Sequence, residues 1–379
     1  MIRKNKILHV ITSLDRGGAE KVLYQLVTSD EENLHEVICL GKEGFFTKKL
    51  RNKGILVHSL NLKKYGFNFI GLFKMYKIIT NNSALIVQTW MYHADLIGGL
   101  LCWFASKENV IWGIRNSNLD KKNSKFTTKI VVFLLSKFSK YIPKRIISCS
   151  EEAAKIHINL GYDKNKFIII HNGFKTNEIK PNSKKIFRVK KLLKISEKEI
   201  VFGSIGRWDS QKDYENLFSA LSMVKNKINP WKLILAGNEL NNTNNNLIKL
   251  IKNFNLEKNI ILVGFRKKIT TIINCFDLHI LSSGYGEAFP NVLAEAMSCE
   301  IPCISTTVGE SPNIIGETGW SVPPKDSLKL SRAIMDAMQE FKRIDNWKKR
   351  KINARKRIVD NFSFEKMLNN YNSIWRNFK

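Results

Sequence analysis

Short runs of β-branched and apolar residues recur along the chain, each followed by a longer stretch whose apolar positions return every three to four residues. Ile7–Thr12, Glu36–Leu40, Ala84–Trp90, Asn109–Arg115, Arg145–Ser150 and Phe167–His171 read as strands, with helices from about Gly18, near Phe69–Thr80, and from Ala94, Ser124 and Glu151. Such alternation predicts parallel βαβ units with helices on both faces of the sheet. The pattern lapses between about Phe174 and Glu199, a Lys-rich stretch with Pro181 and no clear strand, which reads as an interdomain linker. It then restarts. Strands are expected at Ile200–Gly206, Trp231–Ala236, Ile260–Val263, Leu278–Ser282 and Pro302–Thr306, and helices from Asp213, near Leu247–Phe254, near Ile269–Cys275 and from Asn291. Helical runs follow at Leu328–Glu340, Asp345–Val359 and Ser363–Trp375. The last has Ser363 at the cap position but Lys366 where a capping box needs Glu or Gln. The expected class is α/β, with two Rossmann-like parallel-sheet domains over residues 1–178 and 179–360. Ligands bind such sheets in the crevice outside the carboxyl ends of the strands.

Composition fits two ordinary globular cores: 379 residues, 44% hydrophobic and 25% charged, with one Asn-rich patch at Asn241–Asn246. Charge departs from the average. The net value is +29, divided as +15 over residues 1–180 and +14 over the rest, so no basic tail explains it. It would attract nucleic acid, an anionic membrane face or a phosphorylated substrate, and a bias toward Lys, Asn and Ile accounts for it equally well. The six cysteines, Cys39, Cys102, Cys149, Cys275, Cys299 and Cys303, form no CxxC pair and read as buried thiols of a reducing compartment. The apolar run after Met1–Lys6 is too short for a signal peptide, and Leu96–Ala105 is too short to span a bilayer. A cytoplasmic protein is expected.

The most specific chemistry lies in Gly284-Tyr285-Gly286-Glu287-Ala288-Phe289-Pro290-Asn291-Val292-Leu293-Ala294-Glu295. Here a strand turns through glycines into a helix, with Pro290 where a first helical turn tolerates it. Backbone N–H groups from Ala288, Phe289, Asn291 and Val292 at a positive helix end make an anion site, to which Pro290 contributes none. Glu287 and Glu295 flank that site and can accept hydrogen bonds from sugar hydroxyls; the plainer alternative is two surface glutamates at a helix start. The loop Gly206-Arg207-Trp208-Asp209-Ser210-Gln211-Lys212-Asp213 ends the second domain's first strand and supplies two cations, Arg207 and Lys212, able to neutralise a diphosphate. Solvated surface charge is the ordinary alternative. Gly17 and Gly18, between first strand and first helix, let backbone approach a phosphate or sugar. No GxGxxG and no P-loop is present, which disfavours a nicotinamide dehydrogenase and a P-loop NTPase.

With these segments in view, the chain resembles the family 4 retaining glycosyltransferases of the GT-B fold over nearly its whole length, through GGAE, GRWDSQKD and GEAFPNVLAEAMSCEIPCISTTVGE. The resemblance implies a nucleotide-sugar donor, UDP- or GDP-linked, and no other cofactor. Glu287 and Glu295 match the family's Glu-x7-Glu motif, the first carboxylate contacting the donor sugar and the second the ribose. Arg207 and Lys212 match the pair on the donor diphosphate, and Gly17-Gly18 the loop closing over it. His93 resembles a His placed near the donor sugar, though a strand-end His is often only a satisfied polar residue. The resemblance also implies that the last helix, within 361–379, returns to the first domain. Arg115, at a strand end, is a candidate for an acceptor phosphate or a mere carboxylate partner, and Asn172-Gly173 reads as a structural turn.

With neither Asp-x-Asp nor His-Glu-x-x-His present, a metal-independent transfer is expected, Arg207, Lys212 and the helix end supplying the charge neutralisation. Between Lys121 and Arg145 stand eight basic residues and no acid, interleaved with Phe126, Ile130, Phe133, Leu134, Phe138 and Tyr141 at helical spacing. That is either a cationic amphipathic helix for an anionic membrane surface or an ordinary helix with a solvated Lys face. Nothing matches a nucleic-acid module. The reading is a retaining hexosyltransferase acting on a lipid-diphosphate-linked glycan of surface polysaccharide assembly (lipopolysaccharide or capsule), peripheral on the inner membrane face. The rivals are a sugar-nucleotide epimerase or phosphorylase on the same fold, and a non-enzymatic basic membrane-binding protein.

Overall fold

A computed structural model describes residues 4–62, 69–117, 126–228 and 230–378. The chain forms two compact units, one running to Gly173 and resuming at Glu365, the other Phe174–Phe364. The division after Gly173 falls ahead of the 178/179 boundary expected above. The supposed linker is not structureless: it holds the helix Ser183–Leu192. Lysines crowd its sequence, and among the described residues Val189 and the following Ile195 are its buried apolar side chains, too few to show a period.

The first unit is a seven-stranded parallel sheet of β1 (Lys6–Ile11), β2 (Leu34–Cys39), β3 (Leu56–Ser59), β4 (Ile86–Trp90), β5 (Val110–Ile114), β6 (Arg145–Ser148) and β7 (Phe167–Ile169). Their order is β3-β2-β1-β4-β5-β6-β7. The strand β3 and the helix Phe45–Arg51 escape sequence reading. In β3 only Val57 is buried and Leu56 is exposed, as at a sheet edge, so no apolar run marks it.

The helix Phe364–Arg376 belongs to this unit from Glu365 onward. A buried polar chain ties it there. Trp90 Nε1 donates to His9 Nδ1 (3.2 Å), which leaves His9 Nε2–H for His35 Nδ1 (3.0 Å) and His35 Nε2–H for the Asp30 carboxylate (2.9 Å). Asn33 and Asn372 both donate to Asp30, and Trp375 Nε1 donates to Gln88 Oε1 at 2.8 Å. Since an unmade hydrogen bond costs more than a made one gains, this chain of partners fixes the helix's rotation as well as its place.

The second unit is a six-stranded parallel sheet: β8 (Ile200–Ile205), β9 (Trp231–Ala236), β10 (Ile260–Gly264), β11 (Leu278–Leu281), β12 (Cys303–Thr306) and β13 (Trp320–Val322). The order β10-β9-β8-β11-β12-β13 puts the topological switch between β8 and β11, the position at whose carboxyl strand ends open α/β sheets bind ligands. Its core joins the inner faces of β8, β9 and β11 to the helices Tyr214–Val224 and Ser327–Phe341 through Phe218, Leu221, Leu330 and Ile334. All six cysteines are free and buried. Among the described residues, no helix is long and apolar enough to cross a membrane.

Buried titratable groups give the fold a pH optimum. Burial holds His157 and His279 down at about 4 and His9 well below its ordinary value. Burial also pushes the Asp95 carboxyl up to about 8, even though Thr89 Oγ1 (2.5 Å) and the Gly113 N–H (3.3 Å) donate to it. The histidines bind protons in the unfolded chain but not the folded one below pH 6.5, so there stability rises with pH. Asp95 keeps its proton only when folded, so above its ordinary 3.8 it makes stability fall as pH rises toward 8. Among these strongly shifted groups three histidines outweigh one carboxyl below 6.5, and above it Asp95 acts without them. Thermal unfolding should therefore peak near pH 6.5, and Asp95→Asn should flatten the alkaline limb, which has a limiting slope of about 1.4 kcal/mol per pH unit. A wild-type midpoint that stays level from pH 6.5 to 8 would contradict this.

Candidate active site

Two loops of the second unit meet at the β8/β11 switch. The first leaves β8 through Gly206 and Arg207. The Asp209 carboxylate accepts the Gln211 N–H (2.9 Å) and starts a single 3₁₀ turn, Ser210–Lys212. Asp213, at φ +48°, accepts the Asn216 N–H and caps the helix Tyr214–Val224. Close backbone approach sets the loop's exit: a Cβ on Gly237 (φ +152°) would lie 1.5 Å from the Gly206 carbonyl oxygen. Arg207 is held at the rim, Nε donating to Asp209 Oδ2 and a terminal nitrogen to Gln211 Oε1, both at 2.8 Å. Its side chain stays 56% exposed.

Lys212 turns inward instead. Its Nζ lies 2.5 Å from Glu287 Oε1, and the two side chains are 12% and 10% exposed. Ser283 Oγ donates to the same carboxylate oxygen at 2.7 Å, and the Ser283 carbonyl is itself held by Thr306 Oγ1. The loops are stitched by Ser282 Oγ to the Lys212 carbonyl and by the Gly284 N–H to the Gln211 carbonyl, each at 2.8 Å. Behind Glu287 a third segment presses close. A Cβ on Gly309, at φ +58°, would sit 1.5 Å from the Glu287 carbonyl oxygen, so the position admits only glycine.

The helix Asn291–Ser298 opens just beyond. Pro290 stands at its N-cap in extended conformation, one residue ahead of the first-turn position expected above; its missing N–H is no loss at either place. Glu295 is 5% exposed and Glu287 8%, so these are not the surface glutamates of the plainer alternative. Phe289 points its ring into its own unit, against Phe174 and Phe362, which leaves only its backbone for a ligand. Ala288, Asn291 and Val292 are half-buried along the same turn.

Sequence reading missed Ser283, Thr306, Gly309 and Lys325. Gly309 sits within the TTVGE run that carried the resemblance, whereas Lys325 follows β13 with no motif of its own. It reaches the site because the chain folds it beside Gly284, where an added Cβ would lie 3.5 Å from Lys325 Cε and 3.4 Å from Asp213 Oδ2.

In the first unit, Gly17 precedes the helix Gly18–Ser29, and the Glu20 carboxylate folds back over it so closely that an added Cβ at Gly17 would lie 2.1 Å from Oε2. Burial raises the Glu20 pKa. His93 is exposed in the first turn of the helix Tyr92–Phe104, and the protein around its ring lowers its pKa. The residue two before it, Met91, is held at φ +74°, ψ 153°, strained for a side chain of its kind, between the Gly113 carbonyl it donates to and the Asp95 N–H it accepts. Arg115 is half-buried and committed within the unit: its terminal nitrogens donate to Asn172 Oδ1 (2.6 Å) and to the Tyr371 hydroxyl, and it lies 4.8 Å from the Trp90 ring centroid. In this arrangement Arg115 serves as a clasp on the C-terminal helix.

Known proteins match both units. Residues 16–178 fit the family model described as Glycosyltransferase Family 4, and residues 185–356 the one described as Glycosyl transferases group 1. N-acetyl-alpha-D-glucosaminyl L-malate synthase of Bacillus anthracis is 27% identical over 190 residues, 50% of this chain and 48% of that protein, so the chain spans about half the length of this relative. The UDP-Gal:alpha-D-GlcNAc-diphosphoundecaprenol alpha-1,3-galactosyltransferase of Escherichia coli is 22% identical over 80% of this chain and 78% of its own. Among solved structures, HepE of Anabaena in complex with UDP-glucose superposes with a TM-score of 0.82 at 20% identity, covering 98% of this chain and 99% of that one. That likeness shows the fold.

The Lys212–Glu287 pair makes a testable claim about its own burial. Lys212→Met should destabilise the protein by about 3 kcal/mol, because it strands a buried carboxylate. Adding Glu287→Gln should recover most of that loss. If a double-mutant cycle in denaturant gives additive effects instead, the two side chains do not interact as described.

Proposed function

Because the chain belongs to the family 4 and group 1 glycosyltransferases with the GT-B fold, we propose that it moves a hexosyl group from a nucleoside-diphosphate sugar to a hydroxyl of a lipid-diphosphate-linked glycan intermediate, with retention of anomeric configuration. The observation that carries this reading is the inward-facing Lys212, set with Arg207 on one loop at the switch point and pointed at Glu287 just ahead of the helix Asn291–Ser298. A buried ammonium and a rim guanidinium beside a helix start form an electrostatic seat for a diphosphate. The donor class agrees with the UDP-glucose in the Anabaena structure, and the acceptor class with the diphosphoundecaprenol in the name of the E. coli relative.

In the proposed reaction the bond between the anomeric carbon and the diphosphate oxygen breaks as the acceptor oxygen bonds to that carbon on the same face. The acceptor proton passes to the departing phosphate oxygen. Arg207 and Lys212 stabilise the charge that collects on this leaving group, with charge-assisted bonds worth roughly 1.5–3 kcal/mol each. Lys325 adds a third cation nearby. Glu287 accepts hydrogen bonds from the donor sugar and Glu295 from the ribose, while the backbone of Ala288, Phe289, Asn291 and Val292 faces the phosphates past Pro290. On the first unit, Gly17 and Gly18 are assigned to the diphosphate and His93 to the donor sugar. Arg115 is assigned to the acceptor side, where it would exchange its Asn172 and Tyr371 partners for an anion. The cations take the part a divalent ion plays elsewhere, so transfer is proposed to be metal-independent, at the cytoplasmic face of a membrane.

Arg207→Ala and Lys212→Ala should each lower kcat/KM about 10- to 100-fold, and Glu295→Ala should raise KM for the donor more than it lowers kcat. EDTA should leave turnover unchanged. With labelled donor, a glycosylated acceptor of retained configuration is expected. Label returned as an epimerised nucleotide sugar or a sugar phosphate would point to the rival epimerase or phosphorylase. If both cation variants keep full turnover, the diphosphate seat lies elsewhere.

A further inference from the structure

At the amino-terminal edge of the first sheet, opposite the strand ends that carry His93 and Arg115, lies a cavity of about 470 Å³. Trp103 and Tyr141 wall it, and Lys107, Lys144, Arg145 and Lys166 face it. Three of these cations are oriented by neutral carbonyls: Lys107 donates to Asn82 O (2.7 Å), Lys166 to Lys140 O (2.6 Å) and Arg145 to Lys144 O (2.8 Å). Carbonyls position a cation without cancelling its charge. Glu108 is the one carboxylate among the described lining residues; it is 82% exposed and 3.4 Å from Lys144. The cavity thus carries a net excess of fixed positive charge.

Its aromatic lining is exposed: Trp103 is 55% exposed and Tyr141 75%, and Phe104, stacked on Trp103, is 69% exposed. Phe133, in the basic stretch noted in the sequence, is 60% exposed. The Trp103 ring stacks with Phe104 at 6.0 Å and lies 6.5 Å from Phe138, and Lys137 Nζ stands 5.5 Å from the Phe133 centroid. In the helix Phe126–Phe138 it is Val132 and Leu135 that are buried, while Phe126, Ile130 and Phe133 of the stripe noted in the sequence are exposed. Lys121, Lys122 and Lys125 of that stretch lie outside the described residues. Neighbouring exposed aromatics rimmed by lysines do not suit water, and they match the composition of a surface that enters a lipid headgroup layer.

We propose that this cavity binds the phosphate headgroup of an anionic phospholipid while Trp103, Phe104, Phe133 and Tyr141 enter the bilayer interface, docking the first unit on a membrane. The site goes beyond the proposed transfer, since it lies at the other end of the sheet from the groups assigned to donor sugar and acceptor, and its test reads binding rather than transfer. A chain that docks without transferring sugar would overturn the function alone; one that glycosylates a soluble acceptor without docking would overturn the site alone.

The experiment uses the full chain with vesicles of phosphatidylcholine, with or without phosphatidylglycerol at about one third. Cosedimentation should favour the anionic vesicles at least tenfold, and brominated acyl chains should quench the exposed Trp103. Removing the cations with Lys144→Gln, Arg145→Gln and Lys166→Gln together should weaken binding by about fivefold per charge. Removing three charges from the second unit, with Lys348→Gln, Lys349→Gln and Lys356→Gln, should change it by less than twofold. Trp103→Ser with Phe104→Ser should abolish quenching while the protein still unfolds cooperatively. The site is wrong if both triple variants lose affinity equally, since the net charge alone would then explain docking, or if neutral and anionic vesicles bind alike. It is also wrong if a single-stranded oligonucleotide displaces the protein from anionic vesicles through these same residues.

Discussion

The second unit is organised around a lysine that has left water. An ammonium taken to 12% exposure is stable only if an opposite charge and further hydrogen bonds replace its hydration, and Glu287, seated by Ser283, does this at 2.5 Å. The requirement propagates outward. For Glu287 to meet Lys212, the loops after β8 and β11 must lie together, which the bonds from Ser282 and Gly284 secure. The Glu287 backbone must also tolerate a chain pressed against it, which is why Gly309 has no side chain. In the proposed reaction a diphosphate would meet here a cation already desolvated and aimed, leaving little reorganisation as leaving-group charge develops.

The first unit solves a different problem. Its C-terminal helix is separated from the sheet by the whole second unit in sequence, and burial of Tyr371 and Trp375 alone would leave its rotation free. The chain of hydrogen bonds from Trp90 through His9 and His35 to Asp30, joined by Asn372, allows one tautomer for each ring and so one seating for the helix. Arg115 extends the same logic by gripping Asn172 and Tyr371 together. A guanidinium at a strand end need not await a ligand, because a helix hydroxyl and an amide can hold its terminal nitrogens.

Much of the architecture was legible because parallel strands, buried on both faces, must be written as continuous apolar runs, and the helices covering them repeat at 3.6 residues. The failures share a cause. Strand β3 lies at a sheet edge with one buried residue, and the helix Ser183–Leu192 hides few apolar contacts among lysines, so neither places enough hydrophobic residues in register to be seen. At the site, Arg207, Lys212, Glu287 and Glu295 stood out because glycine turns and a helix start frame them. Lys325 did not, because a cation after a strand looks the same whether it meets solvent or a neighbouring loop.

Local chemistry, then, belongs to the sequence by itself: where strands end, which turns need glycine, which segments carry paired cations and carboxylates, and that the chain repeats one α/β plan. Those properties follow from backbone sterics and from periodicities of two and 3.6, which act over a few residues. Tertiary structure alone decided which charges meet. It buried Lys212 against Glu287 while leaving Arg207 at the rim, turned Arg115 toward the C-terminal helix, and left Phe126, Ile130 and Phe133 of the helix Phe126–Phe138 exposed. Pairing and burial depend on contacts between residues far apart in the chain, and no local rule contains the distance between them.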